Sequence, residues 1–238
     1  AEEHVSCESS WLSAWMTEGL GMQSVAQQLI SAFVDAGTTH VFGVVGTTTL
    51  PLLDALHDRN DLRYVSCRHE QVAASAADGY ARMTRRPGVV FVQGGSGVSN
   101  LLLSTCIAWK DHVPLIILAG LQAHEKLGRG SWQEIDCIPI SQPVTKWAYR
   151  VNRPDEMQWV LRRAMIAAVA GRAGPVLLEI PREVLASTAV GEIRLGNGGQ
   201  PITTPWSRPA PVADDVEEVA QVLRSASRPL FVFGGGVL

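Results

Sequence analysis

The sequence predicts an α/β fold, a parallel sheet flanked by helices, and three observations carry the prediction. Short apolar runs alternate with segments whose apolar residues recur at helical spacing. The runs at residues 89–93, 114–119 and 176–180 are apolar at almost every position, not at every second one, as strands covered on both faces are. Glycine-rich turns, notably Gly94-Gly95-Ser96-Gly97, stand where a run ends and a helix begins.

The elements follow in order. Ser24 can cap a first helix whose apolar face is Val25, Leu29, Phe33 and Val34 and which closes at Gly37. Residues 40–45 read as a strand, Gly46-Thr47-Thr48-Thr49 as a turn, 51–57 as a short helix and 62–67 as the second strand. An Ala-rich helix over 69–85 stops at Pro87-Gly88, and strand 89–93 leads through the glycine turn into a helix ending near Trp109. Strand 114–119 is followed by an irregular stretch through Gly130, a helix over 154–170 and a last strand at 176–180. In open α/β sheets ligands sit beyond the carboxyl ends of the strands, which makes the loops at 46–49, 68–71 and 94–100 the candidates.

Composition narrows the classes. With 238 residues, 46% hydrophobic and 18% charged, the chain can bury a full core and is too apolar to be disordered. A formal net charge of −3 gives no basic field for nucleic acid or an acidic membrane, and no apolar run approaches the roughly 20 residues of a membrane span. Cys7, Cys67, Cys106 and Cys137 contain no C-x-x-C pair, which argues against a zinc site or disulfide scaffold and points to a reducing cytoplasm. Residues 1–21 carry Trp11 and Trp15 without a clear period or a secretory-signal pattern and read as an extension ahead of a domain at 22–190. Residues 191–212, with Gly198, Gly199, Pro201, Pro205 and Pro209, read as a linker. Residues 213–238 read as the start of a second α/β domain: a helix capped by Asp214, a strand at 229–233 and a Gly-Gly-Gly turn at 234–236. One helix and one strand cannot bury a sheet, so the sequence is expected to be part of a longer protein.

Each candidate loop has a plain reading and a sharper one. Gly95-Ser96-Gly97-Val98-Ser99-Asn100 approaches the dinucleotide fingerprint G-x-G-x-x-G but lacks the third glycine. Gly120-Leu121-Gln122 stands where a nicotinamide site would place an acidic residue, and Val98 stands where a nucleophile elbow needs glycine. A tight turn explains the glycines equally well. His69-Glu70 opens like a zinc-binding helix, yet the second histidine would fall at Ala73, so no metal site is expected. Glu70, in the first turn of a helix, is either a helix-dipole partner or a carboxyl partly desolvated against Ala73, Ala74, Ala76 and Ala77. In the second case it can share a proton with a ligand nitrogen.

Read together, Arg68-His69-Glu70-Gln71 through Ala77-Asp78-Gly79-Tyr80-Ala81-Arg82, Arg86-Pro87-Gly88-Val89, Gly95-x-Gly97-Val98-Ser99-Asn100, Ser131-Trp132-Gln133-Glu134, Thr145-Lys146-Trp147 and Gly174-Pro175-Val176-Leu177-Leu178-Glu179-Ile180-Pro181 resemble the N-terminal pyrimidine-binding domain of thiamine-diphosphate enzymes of the acetolactate synthase type. The match keeps order and spacing over about residues 22–190. The resemblance implies decarboxylation of a 2-oxo acid and carboligation to a second carbonyl. Glu70 would be catalytic, hydrogen-bonding the pyrimidine N1′ and favouring the imino tautomer that deprotonates the thiazolium C2. Gly46, Thr47, Gly95, Ser96, Gly97 and Asn100 would frame the cofactor, and Thr48, Trp132, Gln133 and Lys146 would lie near the substrate. Mg²⁺ and the cofactor diphosphate would be held by a domain whose Gly-Asp-Gly motif does not occur in these residues, FAD or acyl-CoA binding by the middle domain stays open, and the partner would be a second subunit of a homodimer or homotetramer. Two departures bear on substrate: Val45 and Ser96 stand where the family pattern has proline. The same domain occurs in 2-hydroxyacyl-CoA lyases, oxalyl-CoA decarboxylases and benzaldehyde lyases, and a non-catalytic assembly domain is the rival from another class.

Overall fold

The computed structural model describes residues 22–57, 59–195 and 210–234. The expectations for residues 1–21, for most of the linker and for the end of the glycine turn at 235–236 lie outside the described residues. The chain divides into two compact units, one ending and the next beginning within the linker.

The first unit opens with α1 (Val25–Asp35), and the expected cap is present in full: the Gln27 N–H donates to Ser24 Oγ (3.2 Å) and the Ser24 N–H to Gln27 Oε1 (2.8 Å). Then come β1 (His40–Gly43), α2 (Leu50–Asp54), β2 (Arg63–Ser66), α3 (Glu70–Thr84), β3 (Gly88–Gln93), α4 (Ser96–Lys110) and β4 (Leu115–Leu121). The chain continues through α5 (Cys137–Ser141), β5 (Trp147–Arg150), α6 (Met157–Val169), β6 (Pro175–Pro181) and α7 (Arg182–Ala186). The six strands form one sheet in the order β2-β1-β3-β4-β6-β5, every neighbouring pair parallel. Strand side chains alternate between two cores. Phe91, Ile116, Leu118 and Leu178 point to the core under α1 and α6, while Val90, Val92, Ile117 and Leu177 meet the alanines of α3 and the inner face of α4.

Four expectations are corrected, two in this unit and two in the second. The stretch after β4 holds a strand the sequence reading lacked, β5, an edge strand with all four residues half-buried and hence without an apolar run or a strict alternation. Trp147 and Tyr149 instead stack on each other at 5.2 Å, with the Arg163 guanidinium 4.7 Å from the Trp147 ring centroid. The domain's packing also runs past residue 190, since Ile193 and Leu195 are buried in the first core.

The second unit contains α8 (Ala213–Ser225). Its N-cap is Val212, not Asp214, which lies inside the first turn where a carboxylate favours the helix dipole. Residues 229–233 are irregular, not a strand, because no neighbouring strand in the described residues supplies ladder hydrogen bonds.

Candidate active site

In this strand order the chain leaves β1 for β2 on one side and continues with β3 on the other, so the loops after β1 and β3 part at the carboxyl edge and open a crevice. They face each other there. A Cβ on Gly46 would lie 2.8 Å from Gln93 Oε1, and one on Gly120 only 2.5 Å from the Thr48 carbonyl. The Thr49 hydroxyl closes the first loop on Gly46 O (3.0 Å). Beyond this edge lies a cleft of about 240 Å³, bounded among others by Thr48, Gln93, Gly95, Leu121, Trp132 and Gln133.

Gly95 supplies what only glycine can. Its φ is +75°, and a Cβ there would sit 1.7 Å from the Gln133 carbonyl oxygen. Gln133 itself is held at φ +63°, a conformation costly for a residue with a side chain, and Gln93 Nε2 donates to Gln133 Oε1. The segment carrying Trp132 and Gln133 is anchored from beneath. Glu179, wholly buried in β6, accepts from the Cys137 N–H (3.2 Å) and from Arg150 Nε (2.7 Å). The Gly95 N–H in turn reaches Cys137 Sγ at 3.0 Å. Burial pushes the Cys137 thiol up to about 12. Glu134 ties the same loop: the backbone N–H groups of Gly128 and Ser131 donate to its carboxylate and hold it below the usual carboxylate range.

Glu70 does not line this cleft; it stands at the start of α3, half-buried, with its carboxylate against α4. Asn100 Nδ2 donates to Glu70 Oε2 (2.9 Å), and a Cβ on Gly97 would come within 3.3 Å of Glu70 Oε1. One carboxylate oxygen is therefore oriented, and the other rests over a glycine with no protein hydrogen bond among the described residues. That arrangement fits a ring nitrogen of the implied cofactor. Ser96 and Gly97 open α4, and Gly46 and exposed Thr47 lie in the β1 loop.

The remaining predicted residues separate. Thr48 and Gln133 border the cleft, as does Trp132, which is 80% exposed. The Thr48 hydroxyl, however, is buried without a hydrogen-bond partner and shut off from the cleft. Lys146 is not brought to this edge. It precedes β5, at the amino ends of the strands, where Nζ donates to the Ala170 carbonyl (2.5 Å) and burial lowers its pKa. Sequence reasoning missed Gln93 and Glu179. The signal for Glu179 was legible, a carboxylate inside an otherwise apolar strand. Among the described residues no His, Cys, Asp and Glu side chains gather into a metal site, and no helix is long and apolar enough to cross a membrane.

Comparison with known proteins adds to this geometry. The family described as thiamine pyrophosphate enzyme, N-terminal TPP binding domain, matches residues 23–140. The acetolactate synthase isozyme 3 large subunit of Escherichia coli (strain K12) is 31% identical over 227 residues, covering 91% of this chain and 38% of that protein. The acetolactate synthase of Mycobacterium bovis is 36% identical over 216 residues, covering 90% and 34%. Among solved structures, benzoylformate decarboxylase from Polynucleobacter necessarius aligns with a TM-score of 0.76 at 28% identity, over 88% of this chain and 38% of that one. The chain thus spans little more than a third of the length of these relatives.

Proposed function

This chain belongs to the thiamine pyrophosphate enzymes, of which it carries the N-terminal TPP binding domain, and from that premise we propose that the complete protein decarboxylates a 2-oxo acid and joins the remainder to a second carbonyl compound. The observation that carries the reading is the Glu70 carboxylate, oriented by Asn100 and resting over Gly97 at the mouths of two helices.

Thiamine diphosphate, when bound, supplies the electron sink for breaking and making a bond beside a carbonyl. Glu70 holds the pyrimidine N1′ and shares a proton with it. Asn100 fixes the rotation of the carboxyl, so that one oxygen stays directed at the ring while the other is held. Gly97 leaves room for that contact, and Gly46, Thr47, Gly95 and Ser96 frame the ring. Trp132 and Gln133 border the substrate cleft, with Thr48 supporting its floor. Mg²⁺ and the diphosphate fall to another domain, in a homodimer or homotetramer. That reading is supported by the one-sidedness of Glu70 and by the exposed Val72, Leu103 and Ile107 on the same two helices. Residues 22–195 act as the pyrimidine-binding domain, with Ile193 and Leu195 buried in its core, and 213 onward begins a middle domain. The described cysteines, Cys67, Cys106 and Cys137, are free, which supports a cytoplasmic setting.

A second reading, a thiamine-diphosphate decarboxylase or lyase that does not use a 2-oxo acid acceptor, is favoured by Val45 and Ser96 in place of the acetolactate synthase prolines. The test common to both is Glu70→Gln in the complete enzyme, which keeps size and hydrogen bonding but cannot hand over a proton. C2 hydrogen–deuterium exchange in bound thiamine diphosphate, read by NMR after acid quench, is expected to slow about 10²–10⁴-fold. An unchanged rate would return Glu70 to a helix-dipole role and leave an assembly domain as the better account.

A further inference from the structure

We infer that Glu179 is a positioning residue for Glu70: through Cys137 and Gly95 it fixes where α4 begins, and so the direction in which Asn100 holds the Glu70 carboxyl. The inference rests on the proposed function and deepens it by adding a residue that never touches the ligand.

A carboxylate is out of place in β6. Every other residue from Pro175 to Pro181 is apolar, and Glu179 is wholly buried beside Ala119 of β4, on the face that α3 and α4 cover. A well-packed apolar side chain in such a position is often as stable as a buried ion pair, so the charge is better explained by what it holds. It holds the start of α5 at two points. Oε1 accepts from the N–H of Cys137, the first residue of that helix (3.2 Å). Oε2 accepts from Arg150 Nε (2.7 Å), and Arg150 Nη2 in turn donates to Asp136, the residue before the helix (3.1 Å).

Cys137, held in this way, reaches across to the turn after β3. The Gly94 N–H still belongs to the sheet and donates to the Gly120 carbonyl (2.7 Å). The next N–H, that of Gly95, turns away from the sheet and donates to Cys137 Sγ (3.0 Å). The thiol's own hydrogen goes to the Ile135 carbonyl (3.4 Å), which leaves the sulfur free to accept. Gly95 is the N-cap residue of α4, and its carbonyl accepts from both the Ser99 N–H (3.0 Å) and the Ser99 hydroxyl (3.1 Å). With no side chain to cap the helix, Gly95 sets its start by backbone position alone. Next to Ser99 stands Asn100, the donor to Glu70 Oε2 (2.9 Å). Glu179, Cys137 and Gly95 are all buried within this domain, so the series from β6 to Glu70 runs entirely through residues of this chain.

The test uses the complete protein. Glu179→Gln keeps the size but turns an amide NH₂ toward one of its two donors, so one of the bonds is lost. Cys137→Ala removes the sulfur and leaves Glu179 paired with Arg150; should Glu179→Gln not fold, this variant decides alone. Cys137→Ser puts back an acceptor for the Gly95 N–H. Without cofactor, amide hydrogen exchange read by mass spectrometry should quicken about tenfold over residues 94–101 in Glu179→Gln and Cys137→Ala, with α1 and α6 unchanged. That factor corresponds to one ordinary hydrogen bond. With thiamine diphosphate and Mg²⁺ bound, C2 hydrogen–deuterium exchange per bound cofactor should slow by a similar factor in both variants and recover in Cys137→Ser. Asn100→Ala should also slow it, and combining Asn100→Ala with Cys137→Ala should add little, because both act on the same carboxyl. Unchanged exchange over 94–101, or a double variant slowed by the product of the two single factors, overturns the inference. So does protection lost throughout the domain with a normal C2 rate, the mark of a merely structural residue. Glu70→Gln in the same assay separates the two claims. If it too leaves the C2 rate unchanged, the proposed function falls; if it slows the rate while Glu179→Gln and Cys137→Ala do not, this inference alone falls.

Discussion

The two faces of the sheet are built from different side chains. Under α1 and α6 the core is Phe33, Leu29, Ile30, Met157 and Leu161, large and wholly buried. Under α3 the corresponding positions are Ala73, Ala74, Ala77 and Ala81. The large-residue face removes more apolar surface from water and so holds the fold together. The alanine face gives up that gain for closeness: α3 and α4 lie near the sheet and each other, and this brings Glu70 and Asn100, which belong to different helices, within hydrogen-bonding distance. One face contributes stability and the other contributes position.

Substitutions on each face should separate these roles. The largest expected effect is Phe33→Ala, at about 3–5 kcal/mol of stability. It should appear as a lowered denaturant midpoint with the slope unchanged, and C2 exchange in whatever enzyme remains folded should be near normal. On the alanine face, Ala77→Leu overpacks the contact and is expected to cost about 1–3 kcal/mol. Here activity should fall further than stability, because α3 must move and Glu70 moves with it. Equal ratios of activity to folded fraction in the two variants would erase the distinction between the faces.

Cys137 sharpens the comparison through pH, since it is buried in the alanine-face core and its thiol is pushed from an ordinary 9.0 up to about 12. The unfolded chain loses this proton near pH 9 while the folded protein keeps it. Stability is therefore fully present below pH 9 and declines as pH rises from there toward 12, with a slope approaching about 1.4 kcal/mol per pH unit. Urea midpoints between pH 8 and pH 10 should show the decline, and Cys137→Ala should flatten it. The smallest effect is Ser24→Ala, which removes the side-chain half of the α1 cap on the large-residue face. About 1 kcal/mol of thermal stability should be lost with no change in cofactor affinity.

The parts of the site legible in the sequence were local ones. The Gly94-Gly95-Ser96-Gly97 turn, Glu70 at a helix start and the capping box at Ser24 each announce themselves within a few residues, because turn chemistry and helix caps act over that range. β5 was not legible, since Trp147–Arg150 is a strand only by pairing with β6 and its burial comes from stacking on α6. Nor was the placement of Lys146. Its neighbours Ala170 and Gly174 belong to the far end of the sheet, which its surrounding motif does not encode.

By itself the sequence determined the alternation of strands and helices, the side chains on each face and the residues with chemistry to offer, all properties of periodicity and residue type. Only the tertiary structure decided which of those residues meet. The strand order puts the β1 and β3 loops face to face, so Gln93 at the end of one strand finds Gln133 from a loop 40 residues on. It also brings Arg150 beside Glu179, neutralising what would otherwise read as a free cation. Such contacts join residues far apart in the chain, and their geometry is set by packing that no local pattern records.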